Sequence, residues 1–211
     1  MFKMMGPAGF GERWVRLSKE LKKLPDVKVF GKWQSAGIEA NDPGLKRYIS
    51  TRPILLPHTS GRHEHGRFRK STINIVERLI DDMMRPGVAG GAKARASSIV
   101  RNAMDIIAIR TKKNPIEILV RAIENAAPAE DVTRIAYGGI VYPISVDIAP
   151  QRRVDIALRY ITNLSRQASH NNPKTVDECL ADELILAAAR DPKSASVKKR
   201  DEIERIALAS R

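Results

Sequence analysis

Apolar residues recur along this chain at helical spacing almost everywhere after residue 71, and they predict a mainly α-helical body. Ile73, Val76, Leu79, Ile80 and Met83 form one stripe, the mark of a helix with a single buried face. Ser71 or Thr72 can cap its start, and Pro86-Gly87 stop it. Ile99, Val100, Ala103, Met104 and Ile107 predict a second helix over about Ala92 to Thr111. A third opens on Asn114-Pro115-Ile116-Glu117, with Asn as cap, Pro at the first helical position and Glu at the third. It buries Ile118, Leu119, Ala122 and Ile123 and ends before Pro128. A long helix runs from Pro150 to about Ser169, with Val154, Ala157, Leu158, Ile161 and Leu164 inward. The next begins near Thr175, whose T-x-x-E with Glu178 is a capping box. Val176, Cys179, Leu180 and Leu184 pack inward from it. The last covers about Val197 to Ala209, with Ile203, Ile206 and Ala207 as its apolar face.

Between the third and fourth helices the period changes to two. Ile140, Tyr142, Ile144, Val146 and Ile148 fall on one face of an extended strand, and Val141, Pro143, Ser145 and Asp147 on the other. Val132 to Tyr137 is a second β-prone run, and Gly138-Gly139 between them supplies the positive φ angles of a tight turn. The pattern predicts a two-stranded β-hairpin over residues 131–148. Pro143 cannot donate a ladder hydrogen bond, which a ribbon made of two edge strands tolerates. Tyr137 and Tyr142 lie near the tip, Arg134 on one arm, and Arg152-Arg153 close the base. Two arrangements fit: an arm reaching toward a partner, or a hairpin packed flat on the helices.

Residues 1–70 lack the sustained helical spacing of the rest of the chain. Glu12 to Leu24 can make one amphipathic helix with Trp14, Leu17, Leu21 and Leu24 roughly on a face, and Val27 to Trp33 is a short β-prone run. Asn41-Asp42-Pro43-Gly44, Pro53 and Pro57 break any longer periodicity. The expected organisation is an N-terminal extension over 1–70, packed on a body over 71–211 made of about six helices and the protruding hairpin. The extension ends in a basic loop, His58 to Lys70, with Arg62, Arg67, Arg69 and Lys70 against only Glu64. It holds His58, His63 and His65, but their spacing fits no zinc pattern, and a nearby cysteine or second carboxylate is missing. No metal is predicted. The loop reads as one set against phosphate, with Gly61 and Gly66 permitting close backbone approach.

Charge narrows the function. Lys and Arg number 37 against 24 Asp and Glu, for a formal net charge of +13 and a pI near 10.1. Such an excess implies a polyanionic partner, nucleic acid first and an anionic membrane surface second. No apolar run approaches the roughly 20 residues that span a bilayer, and the amino-terminal residues lack the apolar core of a signal peptide. The expectation is an intracellular, soluble protein. Cys179 is the single cysteine, which excludes an intramolecular disulfide and a cysteine-based zinc site. Aromatic residues make up 5% of the chain, sparse for a protein that reads single strands by stacking bases on a sheet.

Enzyme signatures are not found. GVAGGAK, residues 87–93, has glycines and Lys93, but it lacks the spacing and the preceding strand of a nucleotide-binding loop. Asp81 and Asp82 are adjacent and share no helix face, and His170 lies in a polar turn with Asn171 and Asn172. Neither a catalytic site nor a cofactor is predicted. The cations gather at helix starts and loops instead: Lys93 and Arg95; Lys112 and Lys113; Arg152 and Arg153; Lys198, Lys199 and Arg200. Lys93 and Arg95 stand where the helix dipole disfavours positive charge, which suggests a partner phosphate there, with solvated side chains as the alternative. Arg152, Arg159 and Arg166 recur every seven residues opposite the core face of their helix, as a solvated face or as an RNA-contacting one.

These elements carry a specific resemblance. The order is helices, then a Gly-Gly hairpin inside VYPISVDIAPQRRVDIALRYI, then ECLADELILAAA, then VKKRDEIERIALASR; RFRKSTINIVERL and KNPIEILVRAIENAAP add to it. Over about Ser71 to Arg211 the chain resembles the seventh universal protein family of the small ribosomal subunit, whose eukaryotic member is numbered five. The long extension from Met1 to Lys70 resembles archaeal and eukaryotic members more than the shorter bacterial ones, and among those the hairpin and tail look archaeal. The resemblance implies a structural, non-enzymatic protein, ribosome-bound in the cytoplasm. It would bind the three-prime major domain of small-subunit rRNA and nucleate assembly of the subunit head. The ribbon (Arg134, Tyr137, Gly138, Gly139, Tyr142) would lie near the exit-site tRNA and the mRNA path. Neighbouring head proteins and the platform protein numbered eleven would be partners. The tip, Ala136 to Ile140, is less basic than in many bacterial relatives, so Tyr137 and Tyr142 could stack on a nucleotide there. The bottom-up alternative is a free basic nucleic-acid-binding regulator with the same body and arm.

Overall fold

A computed structural model describes residues 27–61, 66, 68–84, 87 and 89–211, with Tyr137 defined by its backbone alone. Among these residues the elements are α1 (Pro43–Lys46), α2 (Ile75–Met83), α3 (Lys93–Thr111), α4 (Pro115–Ala126), β1 (Glu130–Tyr137), β2 (Ile140–Asp147), α5 (Pro150–Ser169), α6 (Val176–Ala188) and α7 (Ala195–Ala209), with a 3-10 turn at Arg69–Thr72. The fold is thus mainly helical with one two-stranded antiparallel hairpin, as the periodicities predict. The predicted helix over Glu12 to Leu24 lies outside the described residues, as does Pro86. Among the described residues no helix is long and apolar enough to cross a membrane.

The bundle is built around α4, which packs against α3, α5, α6 and α7. Its pattern predicts one buried stripe, yet Pro115, Ile116 and Val120 are buried along with it, because a helix packed against four others keeps only a narrow polar face, where Arg121 pairs with Glu117 at the surface. Asn114 caps it as expected, its side chain accepting the Ile116 N–H at 3.1 Å. Thr175 and Glu178 form both halves of the capping box on α6. Two starts differ from expectation. Helix α2 begins at Ile75 under an Asn74 cap, whose Oδ1 accepts the Val76 N–H at 2.9 Å. Ser71 and Thr72 instead turn back onto the carbonyls of Phe68 and Arg69, closing the 3-10 turn. Helix α7 begins at Ala195 under Ser194, and its Ile206 is exposed, not part of the core face.

Residues 27–61 lie on the helical body and contribute Val29, Leu45 and Ile49 to its core. Val27 to Trp33 closes as a turn with a single Val29–Trp33 bridge instead of a strand. Lys32 pairs with Asp105 at 2.8 Å, Asn114 donates to the Gln34 carbonyl at 2.7 Å, and Asn74 donates to the Arg52 carbonyl at 2.6 Å.

The hairpin is an arm. Its register runs from Glu130 opposite Asp147 to Tyr137 opposite Ile140, and Gly138 and Gly139 turn the chain with φ of 58° and 83°, the double positive φ of a two-residue type I′ turn. Ile135, Ile140, Val141, Tyr142, Ile144 and Val146 are all exposed, so the period of two sorts residues between two open faces. A two-residue turn makes its flanking pair hydrogen-bonded, and the pairs then alternate. Arg134 opposite Pro143 therefore falls on a non-bonded pair, where the missing proline N–H leaves no gap in the ladder. Only the root is fixed: Ile148 is buried, the Ala129 N–H reaches Glu204 at 3.0 Å, and Arg211 pairs with Glu130. Removing Tyr137 to Val141 should leave the helical circular dichroism and the melting temperature unchanged. A loss of helical signal would mean that the tip packs on the bundle.

Candidate nucleic-acid interface

The predicted cations divide by what the fold does with them. Arg62 and Arg67 lie outside the described residues, as do His63 and His65. Lys93, Arg153 and Arg200 turn inward. Lys93 reaches Glu77 and Asp81, each at 3.0 Å, and is 18% exposed beside a Glu77 carboxyl with no exposure at all. These acids on α2 answer the unfavourable dipole at the start of α3. Burial acts to raise the Glu77 pKa, but the bonds from Lys93 and from the Thr59 N–H and hydroxyl outweigh it and hold the carboxyl below its ordinary value. Burial likewise acts to lower the Lys93 pKa, and its two carboxylate partners reverse that and raise it. Arg153 pairs with Asp42 at 3.3 Å and donates to the Pro128 carbonyl at 3.1 Å. Arg200 is buried against Asp201 and the Asn125 carbonyl.

The other cations face solvent. Arg69, Arg95, Lys112, Lys113, Arg134, Arg159 and Lys198 are exposed. Lys70 is exposed and bridges to Asp155, which also holds the buried Arg78. Arg152 is 69% exposed and 3.9 Å from Asp131, and Lys199 pairs at the surface with Glu202 at 2.8 Å. Surface pairs of this kind contribute little, so a phosphate can take over either cation.

Two groupings emerge. Lys70 and Arg159 line one cleft of about 220 Å³ with Ile73, Arg78, Asp81, Asp82 and Asp155, so the end of the basic loop meets the outer face of α5. Around Tyr160 on the same helix, burial and the nearby Asp131 push the phenol pKa up while Lys199 and Arg159 pull against them. This places cations from α5 and α7 together beside the ribbon root. Lys112 and Lys113 stand apart: α3 has 19 residues, so they are about 28 Å from the Lys93 end at 1.5 Å per residue. Of the seven-residue arginine stripe, Arg166 departs, because its guanidinium reaches back to the Met83 carbonyl. Arg190 and Lys193, exposed in the turn between α6 and α7, join the outward cations although the sequence pattern did not single them out; the basic R-D-P-K turn ahead of Lys198 is the signal that marks them. On the ribbon, Arg134 and Tyr142 are exposed and Gly138 and Gly139 form the tip.

Cys179 is buried, and burial pushes its thiol pKa up, which keeps it protonated and unreactive. It is a core residue, as expected.

The chain matches the family described as ribosomal protein S7p/S5e over residues 45–211. It is 50% identical over 182 residues, which is 86% of this chain and 98% of the relative, to the small ribosomal subunit protein uS7 of Methanothermobacter thermautotrophicus. Both the extent of the match, which runs from the second half of α1 through the basic loop and the body, and the identity to an archaeal relative lead to one conclusion: this chain belongs to the S7p/S5e family of ribosomal proteins.

Proposed function

We propose that the chain binds the three-prime major domain of small-subunit rRNA, nucleates assembly of the subunit head and extends its ribbon toward the exit-site tRNA and the mRNA path. Family membership makes it a structural component of the small ribosomal subunit and not a member of an enzyme family; the RNA domain and the neighbours are the finer part of the reading. The observation that carries it is the sorting of cations. The fold neutralises Lys93, Arg153 and Arg200 with its own acids and carbonyls and leaves Arg69, Arg95, Lys112, Lys113, Arg152, Arg159, Lys198 and Lys199 outward on separate elements. Phosphate contacts from several directions fix position without reading sequence, which suits a protein seated where RNA helices meet and recognised by shape. The exposed ribbon, with Arg134 and Tyr142 on opposite faces, supports an arm near tRNA and mRNA, and neighbouring head proteins and the platform protein numbered eleven would border it. Its place is ribosome-bound in the cytoplasm.

Filter binding tests the reading. The purified chain is titrated with the head-domain fragment of archaeal small-subunit rRNA and with a length-matched scrambled RNA, at low and near-physiological salt. The head fragment is expected to bind tighter and to keep its lead as salt rises. Equal binding that fades for both RNAs would replace rRNA recognition with general attraction to polyanions, the behaviour of a free nucleic-acid-binding regulator.

A further inference from the structure

Among the described residues only Phe68 and Tyr142 are aromatic side chains with an exposed surface. Phe68 stands in the basic loop, 55% exposed, directly before the exposed Arg69 and Lys70. Its backbone is left-handed, with φ 63° and ψ 3°, a conformation that a bulky residue adopts only under strain and one that glycine would adopt without cost. The conformation is fixed from the C-terminal side: the Ser71 N–H and hydroxyl both bond the Phe68 carbonyl, at 3.1 and 2.6 Å. The Thr72 hydroxyl bonds the Arg69 carbonyl at 2.8 Å, and Ile73 then enters the core. An apolar ring is thus held outward on a rigid turn, next to cations, at a backbone position that glycine would occupy without strain. Such strain gathers at functional surfaces, and although Phe30 and Arg190 share the positive φ, only Phe68 combines it with an exposed aromatic side chain beside two exposed cations.

We propose that Phe68 is a stacking platform for one unpaired nucleobase of the RNA, with Arg69 and Lys70 holding the flanking phosphates. Unstacked bases in loops and bulges are taken up by aromatic faces in this way, and such a contact tolerates any base because each has a π-face. The inference rests on the reading of the chain as an rRNA-binding protein and adds the class of group recognised at this loop.

The test uses the full chain, the head-domain rRNA fragment and the variants F68A, F68L, F68W and F68G. Phe68→Ala and Phe68→Leu should each weaken binding about tenfold, while Phe68→Trp stays within about twofold of the native chain. The salt slope should be unchanged in all four, because no phosphate contact is lost. Phe68→Gly should melt at the native temperature or above, since φ 63° suits glycine, and yet bind as weakly as Phe68→Ala. Ultraviolet cross-linking should join residue 68 to a nucleotide. Native affinity in Phe68→Leu would overturn the proposal and assign the ring to apolar packing against a protein neighbour. The native chain is measured first: no preference for the head fragment would sink the rRNA reading itself, whereas a preserved preference with native Phe68→Leu binding sinks the stacking contact alone.

Discussion

Replacing Lys93 with methionine should lower the stability of the folded chain by about 3 kcal/mol at neutral pH. The Glu77 carboxyl has no exposed surface, and its charge is compensated by Lys93 at 3.0 Å and by the Thr59 hydroxyl at 2.9 Å, with Asp81 sharing the ammonium. Methionine fills similar volume but leaves a buried carboxylate facing a second acid, and removal of one partner of a buried pair is far costlier than the pair is worth. The pH dependence fixes the sign. In the native chain the Glu77 pKa is depressed in the folded state, so its contribution is present above its unfolded value and is lost as pH falls through the lower folded one. In the variant the uncompensated carboxyl titrates above its unfolded value, so protonation relieves it on mild acidification. Urea unfolding at pH 7 and pH 5 should therefore show a large gap between the two chains that narrows at pH 5. An unchanged midpoint at pH 7 would identify Lys93 as a surface cation available to phosphate.

The triple replacement of Arg152, Arg159 and Lys198 by alanine should do the opposite: stability stays put and the salt dependence of RNA binding becomes shallower. All three are exposed on helices, where alanine is a good helix former. The nearest acid to Arg152 is Asp131 at 3.9 Å, and Arg159 and Lys198 form no ion pair among the described residues. If each contacts one phosphate, the slope of log K against log salt falls by roughly two to three units, and the loss of affinity between 50 and 200 mM salt becomes roughly 20- to 40-fold smaller. A slope equal to that of the native chain would take the α5 and α7 surface out of the RNA footprint.

Where a fold feature depends on neighbours in sequence, the residues disclosed it. The Asn114-Pro115 start, the Thr175–Glu178 box and the Gly138-Gly139 turn are each complete within four residues, and each stands in the structure. The start of α2 was not legible because Ser71, Thr72 and Asn74 are all competent caps. The choice is made by the bridge of Asn74 to Ser50 and its bond to the Arg52 carbonyl, both distant in the chain. The interface divides in the same way. Basic clusters are visible in any reading of composition, but whether a cation faces a partner or the protein itself depends on acids and carbonyls brought in by folding. Arg153 meets Asp42, and Arg200, beside its sequence neighbour Asp201, meets the Asn125 carbonyl; neither Asp42 nor Asn125 lies near its arginine in sequence. Ile206 shows the converse, an apolar residue on helical spacing whose side of α7 faces out.

The ribbon's two fixed ends have a consequence for how this arm can change length. The tip is a two-residue turn that demands a hydrogen-bonded pair beneath it, and the root is a hydrogen-bonded junction in which the Ile148 N–H meets the Ala129 carbonyl at 3.0 Å. Bonded and non-bonded pairs alternate between them. Adding a single pair of residues would put the two ends out of phase: the turn would sit on the wrong kind of pair, and Tyr142 and its neighbours would exchange faces relative to the bundle. Only additions of two pairs keep both ends satisfied, each lengthening the arm by about 7 Å. The reach of this hairpin is therefore quantised, and relatives whose arms differ in length by whole steps should present the same face to whatever lies beyond the tip.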